Sequence, residues 1–192
     1  MANHPQEAAL LSHYDNKMKY YSPASDPDRT QIMEAAGSPT EGDMLDVGCG
    51  DGRASAWCHT YGMGYLGIDY SPKRIEFARE LQNSNGHTNL LFFHGDLYAA
   101  LPELKKSAYG FIWCAELLEH LEEPKVIWDE MQRLVAPGGM ILCTCPVDMP
   151  YSAHLQVWKT DDEINELFAP SRLWHHETAT RDHFCFTWDE PE

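Results

Sequence analysis

From Met44 onward the chain alternates short apolar runs with stretches of helical periodicity, and few folds accept that order. The runs Met44 to Val47, Tyr65 to Ile68, Leu90 to His94, Tyr109 to Cys114 and Met140 to Cys145 are each bounded by turn-forming residues and are predicted strands. Strands separated by helical segments build βαβ units, in which helices cover both faces of a mostly parallel sheet. The expected class is therefore α/β.

The helix signals between the strands are specific. Ser71 followed by Pro72 is an N-cap with proline at the first helical position, opening SPKRIEFARELQNSNG, which Gly86 should stop. A second helix should start near Pro124, with Ile127, Met131, Leu134 and Val135 as its apolar stripe and Pro137, Gly138 and Gly139 as its end. Thr160 and Glu163 form a capping box ahead of Ile164, Leu167 and Phe168. Beyond it, RLWHHETA and HFCFTW are expected to close the sheet as an antiparallel pair, and residues 1 to 40 to form two helical pieces capping the domain.

The 192 residues suit a single domain. The first residues lack the basic-then-apolar layout of a secretory signal, and no run approaches the roughly 20 apolar residues of a membrane span, so a cytoplasmic protein is expected. Six cysteines without a CxxC pair read as reduced core thiols. Lys and Arg number 14 against 30 Asp and Glu, a net charge of −16 that disfavours nucleic acid and suits a small neutral or cationic partner.

The segment MLDVGCGDG sets Gly48, Gly50 and Gly52 directly after the first strand, where glycine lets the backbone turn sharply and approach a ligand. Alone, such a loop fits a dinucleotide, a phosphate or a plain turn. Asp46 at the end of the first strand, Asp69 in GIDYS and Asp96 in HGDLY narrow the choice. A carboxylate after the second strand can accept from both hydroxyls of a ribose, and one after the third from the amine of an adenine.

From Asp46 to Pro146, the blocks DVGCGDG, GIDYS, GDLY and LVAPGGMILCTCP resemble, in order, those of the class I S-adenosylmethionine-dependent methyltransferases. The resemblance implies a Rossmann-like, doubly wound sheet of seven strands, mostly parallel, with an antiparallel last strand inserted beside the sixth. It implies S-adenosylmethionine as cofactor, with Gly48, Cys49 and Gly50 passing the methionine, Asp69 on the ribose, Asp96 and Leu97 at the adenine, and Cys114, Ala115 and Glu116 near the sulfonium. Asp46, Gly52 and Tyr70 complete the expected cofactor set. The domain then divides into a cap (residues 1–40), a cofactor-binding core (41–146) and an acceptor side (147–192).

In CAELLEHLEEP the residues Glu116, Glu119 and His120 have i, i+3, i+4 spacing, which places them on one face if a helical turn follows the fourth strand. With His154, from the loop PVDMPYSAHLQVW, they offer two carboxylates and two imidazoles to a divalent cation such as Mg. The block resembles that of the ubiquinone-pathway O-methyltransferases and of the small-RNA 2′-O-methyltransferases. His120, Glu116 and His154 are the candidate catalytic residues, with His120 as a metal-free general base the competing role.

The expected function is methylation of oxygen on a small-molecule or glycan-like acceptor. A non-catalytic methyltransferase-like activator subunit and a metal-dependent RNA 2′-O-methyltransferase are the alternatives. The acceptor, the atom methylated and the oligomeric state stay open at the level of sequence.

Overall fold

The computed structural model describes residues 27–37, 41–85, 89–178 and 182–189. Its seven strands form one sheet in the order β3-β2-β1-β4-β5-β7-β6. At the centre, β1 (Met44–Val47) pairs in parallel with β2 (Tyr65–Asp69) and β4 (Tyr109–Ala115). Outside them, β3 (Leu90–His94) runs parallel to β2, and β5 (Val135–Pro146) parallel to β4. The last strand, β7 (Asp182–Asp189), is antiparallel both to β5 and to β6 (Arg172–Glu177), so it runs against the other six. The expected insertion of an antiparallel last strand beside the sixth is what the sheet contains.

Side chains alternate between the faces, as the pleat requires. Met44 joins a core under α1 (Pro27–Ala36), α2 (Ser55–Tyr61) and α3 (Pro72–Asn85), where Ile32, Met33, Cys58, Ile75 and Ala78 are buried. Leu45 and Val47 join the opposite core under α4 (Leu97–Ala100), α5 (Pro124–Leu134) and α6 (Asp161–Phe168). There Trp128 of α5 lies 5.3 Å from the Phe168 ring of α6 and 5.5 Å from Phe186 of β7, which fastens the C-terminal elements onto the sheet. Removing such an aromatic side chain from a core costs about 3–5 kcal/mol.

The helix signals hold. The Ser71 hydroxyl accepts from the Arg74 N–H at 3.3 Å and caps α3, which runs to Asn85, just short of the expected Gly86 stop outside the described residues. Thr160 and Glu163 form the reciprocal capping box of α6. Helix α2 carries no strong cap signal in the sequence. One boundary differs: Val135 is extended (φ −66, ψ 140) and opens β5 opposite Tyr109, so α5 stops at Leu134 and β5 starts five residues before the expected Met140. A β-branched apolar residue suits a helix stripe and a buried strand equally, and the pairing with β4 decides it.

Arg79 and Gln82 of α3 donate to the carbonyls of Phe92 and Leu90 and so occupy acceptors on the edge strand β3. All six cysteines are buried free thiols, as expected. Among the described residues no helix is long and apolar enough to cross a membrane. Of the expected N-terminal cap only α1 falls within the described residues.

Candidate functional site

The carboxyl ends of β1, β2, β3 and β4 open onto a cavity of about 600 Å³, the crevice in which open parallel sheets bind ligands. Its floor is the glycine loop. Gly48 and Cys49 both donate to the Ile68 carbonyl, at 2.9 and 3.0 Å, which folds the loop over the end of β2. Gly48 and Gly50 have φ of +76 and +55, a left-handed backbone that side-chain-bearing residues rarely adopt. A Cβ on Gly48 would approach Leu117 to 2.8 Å, and one on Gly50 would approach the Arg74 guanidinium to 2.8 Å. The floor therefore depends on the absence of side chains.

Asp69 ties this loop to the next. One carboxylate oxygen accepts the Gly50 N–H and the other the Ser71 N–H, each at 2.8 Å. Burial pushes the Asp69 carboxyl up, while these two hydrogen bonds and the charge of Arg74 pull it down. Asp46, 3% exposed, accepts from the Tyr65 hydroxyl at 2.6 Å. Burial outweighs that bond and the charge of Arg29, and raises the Asp46 carboxyl to about 7. Asp96 caps α4 by accepting the Tyr98 N–H at 2.9 Å, which fixes its carboxylate at the cavity rim.

Of the expected cofactor residues, Asp46, Gly48, Cys49, Gly50, Asp69, Tyr70, Asp96, Leu97 and Ala115 line the cavity. Gly52 and Cys114 stand behind it: a Cβ on Gly52 would meet the Phe92 ring at 2.6 Å, and Cys114 is fully buried in the sheet. The wall also contains residues the motifs did not single out. Arg29 comes from α1, Arg53 and Arg74 from positions after the glycine loop and β2, Trp113 from β4, Leu117 and Leu121 from the turn after β4, and Leu155 from the loop after β5. Arg53 pairs with Asp51 at 3.0 Å. In an acidic chain, three arginines around one glycine loop were a signal that spacing rules for strands and helices do not weigh.

The block after β4 does not form a single helical face. Glu116 has φ +54 and precedes a 3₁₀ turn, Leu118–His120. Its side chain turns to Thr144 and His183, accepting the Thr144 hydroxyl at 3.2 Å and lying 3.6 Å from the His183 Nε2. Glu119, His120 and His154 instead come together, with one ligand atom from each inside a 4.8 Å group. Both imidazoles are oriented by backbone: His120 Nδ1 donates to Ala153 O and His154 Nδ1 to Met149 O, each at 2.8 Å. Carbonyls only accept, so each Nδ1 carries a hydrogen and Nε2 is the ring atom left to face a ligand. The Leu155 and Gln156 amides both donate to the Glu119 carbonyl, at 2.8 and 3.0 Å, and clasp the loop after β5 to this turn. His120 lines the cavity, whereas Glu119 is buried behind it.

Over residues 45–143 the chain matches the family described as "Methyltransferase domain". It is 31% identical to the ubiquinone biosynthesis O-methyltransferase of Sodalis glossinidius (strain morsitans) over 110 residues, covering 57% of this chain and 43% of that protein. With the ubiquinone biosynthesis O-methyltransferase of Leptothrix cholodnii it shares 28% identity over 146 residues, 71% of this chain and 61% of the other. The chain thus spans about half the length of the curated relatives it matches. Among solved structures, the phosphoethanolamine N-methyltransferase 2 of Haemonchus contortus in complex with S-adenosyl-L-methionine superposes with a TM-score of 0.75 at 13% identity, covering 97% of this chain and 57% of that one. The PH0226 protein of Pyrococcus horikoshii OT3 does so with a TM-score of 0.70 at 19% identity, covering 94% and 99%. Both likenesses concern the fold. The fold, the glycine loop with its paired aspartates, and the family match lead to one assignment: the chain belongs to the methyltransferase-domain family of class I, S-adenosylmethionine-dependent enzymes.

Proposed function

We propose that the chain transfers a methyl group from S-adenosylmethionine to a hydroxyl oxygen of a small-molecule or glycan-like acceptor, in the cytoplasm. The observation that carries this reading is the Asp69 carboxylate, which holds Gly50 and Ser71 across the mouths of β1 and β2 beside two glycines whose left-handed backbone strains any side chain placed there. A nucleoside with an amino-acid tail fits such a cradle. Asp69 would take the ribose hydroxyls, Asp96 and Leu97 the adenine, and Gly48 to Gly50 the methionine, with Arg29 and Asp46 at its charged end.

S-adenosylmethionine supplies, when bound, a sulfonium methyl that is already activated, so the protein's task is to align the acceptor and exclude water. Ala115, Leu117, Leu121 and Leu155 form an apolar wall on the acceptor side, and Glu116 and His120 are its proton-handling groups. Glu119, His120 and His154 are where a divalent cation would bind. Two imidazoles and one carboxylate suit Zn, Mn or Fe better than the Mg suggested by the sequence. The net charge of −16, and a wall whose arginines among the described residues are Arg29, Arg53 and Arg74, favour a small acceptor over RNA or DNA.

Thermal unfolding with and without S-adenosylhomocysteine is the test. Ligand at about 100 times its dissociation constant adds about 2.7 kcal/mol, or about 5–10 °C in Tm for a domain of this size. A well-folded sample that shows no shift refutes the reading. Release of S-adenosylhomocysteine over a panel of hydroxyl-bearing acceptors, with and without a chelator, then tests the oxygen acceptor and the cation.

A further inference from the structure

Glu116 is a carboxylate on the cavity wall, at the end of β4, that residues of β5 and β7 hold from behind. It follows Ala115, the last residue of β4, and its backbone is left-handed at φ +54, a conformation that persists in a residue of this size only where the surroundings impose it. The surroundings here are polar and specific. The Glu116 N–H donates to Thr144 O at 3.0 Å, and its Oε1 accepts from the Thr144 hydroxyl at 3.2 Å. Its Oε2 lies 3.6 Å from the His183 Nε2. Thr144 of β5 and His183 of β7 are 3% and 8% exposed, and neither lines the cavity, whereas Glu116 does.

The histidine is itself oriented. His183 Nδ1 lies 3.3 Å from the His176 carbonyl, which can only accept, so Nδ1 carries a hydrogen and Nε2 is turned to Glu116. Of the other ionisable groups packed around the pair, the Cys145 and Cys185 thiols are pushed up by burial, Cys185 to about 12, and stay neutral. Asp182 accepts the His183 N–H and reaches His175, and Asp28 lies 3.9 Å from the His176 Nε2. Glu116 and His183 are thus a facing carboxylate and imidazole, with neutral thiols and the Asp182 and Glu119 carboxylates around them, at the end of the sheet where the acceptor would enter.

We propose that Glu116 is the catalytic base that takes the acceptor's proton, and that Thr144 and His183 are positioning residues that aim its carboxylate into the cavity; the proposal rests on the methyltransferase reading above. The acceptor O–H proton passes to the Glu116 carboxylate, the oxygen bonds the transferred methyl carbon, and the carbon–sulfur electron pair stays on sulfur. A base contributes only when held within hydrogen-bond reach of the proton, and a side chain fixed by two neighbours keeps that reach. Charge on the His183 imidazole would keep Glu116 ionised to lower pH. The ExxEH block therefore divides its work, with Glu116 at the acceptor and Glu119, His120 and His154 in a separate cluster.

The test uses the full chain with S-adenosylmethionine and an acceptor taken from the hydroxyl panel. Glu116→Gln should lower kcat by about a hundredfold or more. Thr144→Val, which keeps the shape and removes the hydroxyl, should lower kcat by about tenfold with KM for the cofactor unchanged, and Thr144→Ser should restore it. His183→Gln should lower kcat and move the acidic limb of the kcat/KM profile to higher pH. Wild-type kcat in Glu116→Gln, equal rates in the Val and Ser variants, or an unmoved profile in His183→Gln each overturns the proposal.

One arm needs no acceptor. The His183 ring is followed by NMR over pH 5–9 in wild type and Glu116→Gln, both with S-adenosylhomocysteine added. The titration should move to lower pH when the carboxylate is removed, and an unchanged titration overturns the pairing. Failure of S-adenosylhomocysteine to stabilise any of these proteins would instead overturn the methyltransferase reading, so the two failures are distinguishable.

Discussion

Replacing Asp46 by Asn should stabilise the protein, and do so increasingly as pH rises. The folded Asp46 carboxyl keeps its proton up to about 7, chiefly because it is buried, while in the unfolded chain it releases it at the ordinary 3.8. Between those values the folded state binds more protons than the unfolded state, so stability falls as pH rises, by about 1.4 kcal/mol per pH unit. The loss accumulates to about 4 kcal/mol near pH 7 and is flat above it. Asn carries no charge at any of these pH values and still offers an oxygen to the Tyr65 hydroxyl, which donates to Asp46 at 2.6 Å. The gain of Asp46→Asn over wild type should therefore grow from about 2 kcal/mol at pH 5 to about 4 kcal/mol at pH 8. Urea unfolding of both proteins at pH 5, 6, 7 and 8 measures it, with unchanged m-values licensing the comparison. A difference that is constant across that range would refute the argument that a desolvated carboxylate lies in this wall. The same variant should bind S-adenosylhomocysteine more weakly, which would explain a costly acid at this position.

Asp69→Asn keeps one acceptor for the Gly50 and Ser71 amides and turns a donor toward the other, a loss of about 2 kcal/mol and about a thirtyfold weaker S-adenosylhomocysteine affinity by calorimetry. His175 donates to Asp161 at 2.8 Å and to Asp182 at 2.9 Å, and these partners raise its pKa above the ordinary 6.5. A raised histidine stabilises fully below 6.5 and ceases to do so as pH rises through its folded value; at 41% exposure the screened effect is about 1 kcal/mol, and the Tm gap between wild type and His175→Gln should close by pH 9. Thr160→Ala removes the α6 capping box and should cost about 1 kcal/mol, about 2–4 °C in thermal unfolding.

Elements whose signals are local were legible residue by residue. The Ser71–Pro72 start of α3 and the Thr160–Glu163 start of α6 stand where the sequence places them, because a cap is made by residues within one turn of each other. Val135 was not legible in this way, since its strand state depends on Tyr109, far away in sequence. The glycine loop and Asp69 were legible as a pair, but the bond between them, from Gly50 to the Asp69 carboxylate, exists only once β1 and β2 lie side by side. Gly52 and Cys114 share the motif positions of cavity residues, yet the packing of Phe92 and the sheet put them behind the wall.

The sequence by itself determined the α/β class and the strand ends that bear Asp46, Asp69 and Asp96, because strand period, turn glycines and capping are near-neighbour effects. Only the tertiary structure decided how CAELLEH divides. Helical spacing puts Glu116, Glu119 and His120 on one face, but a left-handed residue at Glu116 breaks that face and sends its carboxylate to Thr144 and His183, 28 and 67 positions away along the chain. The partners that hold it come from β5 and β7, and their adjacency to β4 is created by the antiparallel insertion of the last strand. Spacing along a chain cannot report such a contact, since it depends on which strands the sheet brings together.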